Sequence, residues 1–262
     1  MKTNYHTHHH LCKHAIGSAE DYIKVAIKHG FTDLGFSDHA PSDVINDENV
    51  RMTWDELPQY ISDIMKNKGK YASQIRIHLG LEVEYYDKLP EYYEYLKEKT
   101  DYLILGQHYI NDYQAQNSLQ SSFALHKGYQ LIIYAKSVVE AIKTGYFSLI
   151  AHPDLFMCGY PEFDHNALNA THIICKAAKK YNIPLEFNAN GYRREPIETS
   201  KGLRAPYPIN DFWKVAKTYD CDVIISSDAH APQLLKDQAT QKAEEVLKAL
   251  RIDPITYLYF KR

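Results

Sequence analysis

The sequence has no apolar run approaching the ~20 residues needed to span a bilayer, and no Cys-x-x-Cys pair among Cys12, Cys158, Cys175 and Cys221. The first absence excludes a helical membrane span. The second argues against a thiolate zinc site and against a disulfide framework. A basic tract is also missing: the formal net charge is −3, whereas a protein that grips long nucleic acid usually carries a basic stripe. Neither a membrane nor a nucleic-acid partner is therefore expected. A small phosphorylated substrate stays open, because bound divalent metals can make a site locally positive whatever the global balance. The N-terminus is polar where a secretory signal needs an apolar segment, so cytoplasmic residence is the expectation. No linker, repeat or low-complexity segment interrupts the chain, and residues 1–262 read as one domain large enough to bury a substantial core. No heptad or isolated apolar stripe demands self-association, which leaves a monomer or small homo-oligomer.

What the sequence does have is histidine, crowded at its start: His6, His8, His9, His10 and His14. An affinity tag is a contiguous run set off by a linker. This cluster is interrupted and leads straight into sequence that reads as folded. Residues two apart in a strand share a face, so His6 and His8 can aim two imidazoles at one point, with His14 returning from the next loop. Neutral imidazole is the commonest ligand for zinc-like metals. A metal centre seeded at the first strand is the hypothesis. Cys12 lies beside it and is either a ligand or, as is commoner, a small buried filler. His9 and His10 fit supporting roles better than ligation.

The remaining pattern alternates short apolar strands with amphipathic helices. Strands are expected over 2–6, 31–37, 75–83, 102–106, 148–151, 184–188 and 222–226. Helices are expected over 18–29, 53–67, 90–99, 129–144, 167–181, 210–218 and 239–250, the first capped by Ser18 with Asp21 three residues on. About seven βα units imply a mostly parallel sheet with helices outside, which suits a (β/α)7 TIM-like barrel better than an open sheet.

Polar residues recur at the carboxyl ends of these strands. They are His6 and His8, then Asp38-His39, Glu82 and Glu84, His108, His152-Pro-Asp154, Glu186 with Asn188 and Asn190, and Asp228-Ala-His230. In βα barrels the site lies at that face, so these side chains converge. A histidine or carboxylate at every strand end is the pattern of a metal site. Periodicity does not choose between Glu82 and Glu84, and Asp38 either orients His39 or caps its turn. His29, His78, His126, His165 and His172 read as surface or packing residues.

Taken together, His6-Thr-His8 with Leu11-Cys-Lys-His14, Phe36-Ser-Asp-His-Ala-Pro41, Gly80-Leu-Glu82, Gly106-Gln-His108, Ala151-His-Pro153, Leu185-Glu-Phe-Asn-Ala-Asn-Gly-Tyr-Arg193 and Ser227-Asp-Ala-His230 resemble the PHP (polymerase and histidinol phosphatase) family. Within it the chain is most similar to the bacterial histidinol-phosphate phosphatases. The pieces span nearly the whole chain in family order. Asn4 departs from the pattern, which commonly has Asp there. The resemblance implies a seven-stranded distorted barrel and a trinuclear centre of zinc, manganese or iron. It assigns His6, His8, Glu82 and Asp228 to one metal, a bridging Glu82 with His108 and His152 to a second, and His14, His39 and His230 to a third.

That resemblance implies hydrolysis of L-histidinol phosphate, a step of histidine biosynthesis, by hydroxide held between two metals. Glu82 and Asp228 would carry the catalysis, with Asp228, or a water it orients, protonating the leaving alkoxide. Arg193 is expected to clamp the phosphate through its planar fork, with Arg194 and Arg204 as weaker candidates and His39 also facing the substrate. The segments 40–52, 109–128 and 189–207 would rim the site, and Asp43, Asp112, Tyr109 and Tyr192 are candidates for the substrate's amine and imidazole. The alternatives are a phosphodiesterase or nuclease of the same family, a phosphatase for another small monoester, or a structural metal protein. The last fits poorly, because structural sites saturate their metals.

Overall fold

The computed structural model describes residues 1–45, 47, 49–115 and 118–260; residues 46, 48, 116 and 117 of the expected rim, and the last two of the chain, lie outside them. Among the described residues there are eleven strands: β1 (Thr3–Asn4), β2 (Asp33–Phe36), β3 (Arg76–Val83), β4 (Tyr102–Leu105), β5 (Tyr109–Asn111), β6 (Leu119–Ser121), β7 (Leu149–Ile150), β8 (Leu185–Asn188), β9 (Ile197–Thr199), β10 (Gly202–Arg204) and β11 (Val223–Ser226). The α-helices are α1 (Ala19–Lys28), α2 (Leu57–Lys70), α3 (Pro90–Lys99), α4 (Gly128–Thr144), α5 (His165–Lys180), α6 (Asn210–Thr218) and α7 (Gln238–Leu250).

Seven strands form one parallel sheet in the order β1-β2-β3-β4-β7-β8-β11. Its two edges meet: Thr7 bridges Ala229 in parallel, and the His8 amide donates to the Ala229 carbonyl at 2.9 Å. Asn4 completes the seam. Its side-chain oxygen accepts the Ser227 amide at 2.7 Å, while its Nδ2 donates to the His6 carbonyl at 2.9 Å and to Thr7 Oγ1 at 2.6 Å. An aspartate there would keep the acceptor and lose both donors. The fold is thus the nearly closed seven-stranded barrel that the alternation implies.

Local sequence explains the helix starts. Ser18 and Asp21 form a reciprocal capping box on α1, Asp164 accepts two amides at the start of α5, and Asp237 with Thr240 boxes α7. The barrel interior holds Tyr5, Tyr102, Ile104, Leu149, Ala151 and Ile224. Gly80 leaves the space that the Tyr102 ring fills, since a Cβ there would collide with it. The terminal segment after α7 closes the end opposite the polar strand ends, with Leu258 buried and Phe260 stacked on Tyr102 at 4.8 Å between ring centroids. None of the described helices is long and apolar enough to cross a membrane.

Two hairpins depart from the expected plan. β5–β6 and β9–β10 pair antiparallel within the segments read as long loops. Their strands are three residues long and partly exposed, too short to imprint an alternating pattern.

Candidate metal centre

Strand ends bring the predicted residues together. β1 ends at Asn4, and the chain continues extended so that His6 and His8 still point the same way, with their Nε2 atoms 3.0 Å apart. Glu82 Oε2 lies 3.2 Å from His6 Nε2 and 3.4 Å from His8 Nε2. Asp228 Oδ1 lies 3.5 and 3.3 Å from the same two nitrogens. A tetrahedral ion with ligand bonds of ~2.05 Å sets its ligand atoms about 3.3 Å apart. The two nitrogens keep that spacing to each other and to each carboxylate oxygen, and His6, His8 and Asp228 form one metal-capable group. Asp228 Oδ1 and His39 Nδ1 are moreover buried with no hydrogen-bond partner among the described residues, a costly condition unless something else, such as a cation, satisfies them.

The other carboxylate oxygen of Glu82 faces a second pair, with Oε1 2.9 Å from His152 Nε2 and 3.3 Å from His108 Nε2. His39 Nδ1 lies 3.1 Å from Oε2. Gly106 makes this possible, because a Cβ on it would occupy the space of the Glu82 carboxylate. Glu84 sits behind the site instead. Arg51 grips it through both terminal nitrogens, at 2.9 and 3.2 Å, and it accepts His108 Nδ1 at 2.9 Å. The trio of His14, His39 and His230 gathers less tightly: the His14 ring centroid is 4.5 Å from His230 and 5.5 Å from His39. His14 Nδ1 bonds the Cys12 carbonyl at 2.7 Å. Ligand atoms of His8, Cys12, His39 and His230 lie within 4.8 Å of one another.

The electrostatics are those of competing lone pairs. Burial would raise the Glu82 carboxyl, but His6, His39 and His108 hold it well below the usual range. Asp228 is likewise held low against burial by His6, His8 and His230. Burial opposes protonation of His6 and His108, yet Glu186, Asp228 and Glu82 keep His6 well above the usual imidazole value, and Glu82 and Glu84 raise His108 to about 9. Burial and neighbouring imidazoles push His39 well down and His230 to about 3. Burial first, then Asp38, keeps the Cys12 thiol protonated.

Supporting side chains fix the imidazoles. Glu186, fully buried, accepts His6 Nδ1 at 2.7 Å through one oxygen, and the His152 amide at 2.9 Å and Asn188 Nδ2 at 2.8 Å through the other. His152 and Asp228 both have left-handed backbones, with φ of 30° and 48°. Strain of about 1–3 kcal/mol per residue persists only where surroundings impose it, as the Glu186 bond to the His152 amide does. His9 turns away from the cluster: Asp38 accepts its Nδ1 at 2.6 Å and its amide at 2.8 Å.

The site floors a cavity of about 350 Å³ whose walls include Asp47, Tyr109, Phe123, Asn190, Arg194 and Tyr207. Arg193, expected to reach phosphate, is not among the lining residues. Its guanidinium bonds Asp237 at 2.8 and 3.0 Å, the Ser227 carbonyl at 2.7 Å and the Leu234 carbonyl at 2.9 Å, which braces the backbone next to Asp228. Arg204 also points elsewhere, donating to the carbonyls of Met157, Tyr160, Pro161, Ala205 and Pro206. Of the three arginines expected at the phosphate only Arg194 lines the cavity, which Arg51 also walls. Arg194 stacks over Phe123 at 4.8 Å and bonds Tyr207 Oη at 3.0 Å, and its terminal nitrogens meet no acceptor among the described residues. Of the four substrate-contact candidates only Tyr109 lines the cavity. Asp43 accepts Trp54, Asp112 anchors Tyr129 and Gln130, and Tyr192 packs on Phe187 under Lys242.

A family model described as PHP domain matches residues 4–190. A Deinococcus radiodurans protein named "Probable histidinol-phosphatase" is 27% identical over 236 residues, covering 87% of this chain and 85% of its own. The Bacillus subtilis histidinol-phosphatase is 24% identical over 263 residues, covering 88% and 94%. The crystal structure of histidinol phosphate phosphatase from Lactococcus lactis subsp. lactis, complexed with zinc, L-histidinol and phosphate, superposes with a TM-score of 0.75 at 16% identity, covering 98% of this chain and 96% of that one. At that identity the likeness is one of fold.

Proposed function

Since the chain belongs to the PHP domain family, we propose that it is a metal-dependent phosphomonoesterase whose substrate is L-histidinol phosphate, a reaction of histidine biosynthesis. The observation that carries this reading is the convergence of ligand atoms from His6, His8, Glu82 and Asp228, with both carboxylates within 3.2–3.5 Å of the two imidazole nitrogens. It lies on the floor of a cavity that also holds Arg194, whose terminal nitrogens meet no acceptor among the described residues. The substrate comes from the relatives: two are named for histidinol-phosphatase, and the Lactococcus protein binds L-histidinol and phosphate with zinc. Four free cysteines suit a reducing, cytoplasmic setting.

We assign three divalent ions to these ligands, as the resemblance to the family implies, in the grouping His6/His8/Glu82/Asp228, Glu82/His108/His152 and His14/His39/His230. Zinc, manganese and iron(II) all suit such nitrogen and oxygen donors. When bound, they supply Lewis acidity at the phosphate oxygens and lower the pKa of attacking water towards about 7. The chain's own groups do the rest. Arg194, held flat between Phe123 and Tyr207, presents its terminal N–H groups to the phosphate. The Phe123 and Tyr207 rings exclude water from one wall. Asp228 is ionised, so it orients water for the leaving alkoxide in preference to donating its own proton. Asp228→Asn is expected to lower both metal retention and turnover; normal values of both would remove it from the reaction.

The two neighbouring arginines separate function from scaffold. Arg194→Ala is expected to lower kcat/KM by about 10²-fold with a melting temperature near that of the wild type, as loss of a charge-assisted phosphate contact predicts. Arg193→Ala is expected to cost about 2–3 kcal/mol of stability, read by denaturant unfolding, since it empties a bonded network. Equal kinetic losses without a stability difference would contradict the assignment. The reading as a whole is tested by phosphate release from L-histidinol phosphate, p-nitrophenyl phosphate and a dinucleotide. Strong preference for the first is expected, and turnover of the dinucleotide alone would move the protein to phosphodiester chemistry.

A further inference from the structure

An imidazole that ligates through Nε2 carries its proton on Nδ1 and needs an acceptor there. His6 and His108 find carboxylates, Glu186 at 2.7 Å and Glu84 at 2.9 Å. His8 finds sulfur: its Nδ1 lies 3.3 Å from Cys12 Sγ. The same thiol lies 3.5 Å from the Val50 carbonyl, so its proton has an acceptor of its own. Cys12 also receives His14 Nδ1 on its backbone carbonyl at 2.7 Å. The residue is fully buried, in a single turn spanning His10–Cys12. Val50 lines the cavity.

From this we infer that Cys12 is a positioning residue: its sulfur and carbonyl orient His8 and His14 for metal, and its thiol ties that pair to the cavity rim at Val50. The inference rests on the reading of His8 and His14 as metal ligands. Cys12 differs from the carboxylates behind His6 and His108 in being neutral and a weak acceptor. Orientation therefore dominates its effect, and enhancement of imidazole basicity contributes little. Direct ligation by the sulfur is the rival arrangement, since Cys12 Sγ belongs to the group with His8, His39 and His230.

The test compares wild type, Cys12→Val and Cys12→Ser as metal-loaded full-length proteins titrated with a chelator, with retained metal counted at each step. Valine keeps the volume and removes both acceptor and donor, whereas serine keeps both. Cys12→Val is expected to lose metal at a chelator concentration about 10–100-fold lower than wild type, the usual size of such support. Cys12→Ser should stay within about threefold of wild type. If valine does not fit, Cys12→Ala poses the same question. A filler role would instead lower the melting temperature of the metal-stripped variants while leaving metal retention unchanged, and that result overturns the inference. So does a thiolate-to-cobalt charge-transfer band in the cobalt-loaded wild type, which marks direct ligation. Wild type that retains no metal would sink the metal reading beneath it, whereas wild type and Cys12→Val retaining metal equally would sink only the positioning role.

Discussion

Glu82→Gln is expected to reduce turnover by about 10³–10⁵-fold, the effect of losing several kcal/mol of charge stabilisation, and to release metal under mild chelation. The reason is the position of one carboxylate among five imidazoles: His6, His8 and His39 face its Oε2, and His108 and His152 face its Oε1. Glutamine has the same shape, so packing against Gly106 is preserved. It is neutral, however, and offers an N–H₂ where a second acceptor is needed. One half of the bridge is lost whichever way the amide turns. Steady-state phosphate release and metal content measured on the same sample check this. A Glu82→Gln protein with wild-type metal content and turnover would exclude Glu82 as the bridging group.

Glu186→Gln carries the second large effect, although this carboxylate does not line the cavity. Glutamate accepts from His6 Nδ1 through one oxygen and from the His152 amide and Asn188 through the other. An amide can serve one side only. Turned towards His6, its N–H₂ would demand the opposite imidazole tautomer and place a proton on the nitrogen that faces Glu82 and Asp228. Turned the other way, it would oppose the His152 amide and free a backbone held at φ 30°. Metal affinity should fall by about 10–100-fold, with about 1–3 kcal/mol of stability lost to the unsatisfied donor. Excess metal distinguishes the two cases. If His6 orientation is the fault, turnover returns as metal is raised; if the His152 backbone has moved, kcat stays low at saturation. Wild-type behaviour in both stability and metal retention would contradict the role.

The same contrast shows what the sequence could and could not disclose. Strand and helix order were legible because hydrophobic periodicity and caps such as Ser18 are local. Convergence of His6, His8, Glu82, His108, His152 and Asp228 followed from their places at strand ends. Glu82 on β3 and Glu84 just past its end are two residues apart and are inseparable by periodicity. What separates them is Arg51, thirty-three residues from Glu84, which draws Glu84 behind His108. Arg193 ends a 3-10 turn over Ala189–Arg193 and Arg194 follows with extended backbone, so the two side chains diverge. One therefore meets Asp237 and the other the cavity, and no local pattern tells which. Arg51, Phe123 and Tyr207 were not anticipated at the cavity wall, since each arrives from a rim segment without regular periodicity.

Hydrolysis of L-histidinol phosphate through metal held by the strand-end ligands is put to the test by metal reconstitution. Wild-type protein is stripped with a chelator and a divalent metal is restored in steps. Bound ions and phosphate release from L-histidinol phosphate are measured at each step. No turnover is expected in the stripped protein, and activity should rise with binding and level off at about three ions per chain. Full turnover by the stripped protein, or metal binding to saturation without release of phosphate, would contradict this expectation.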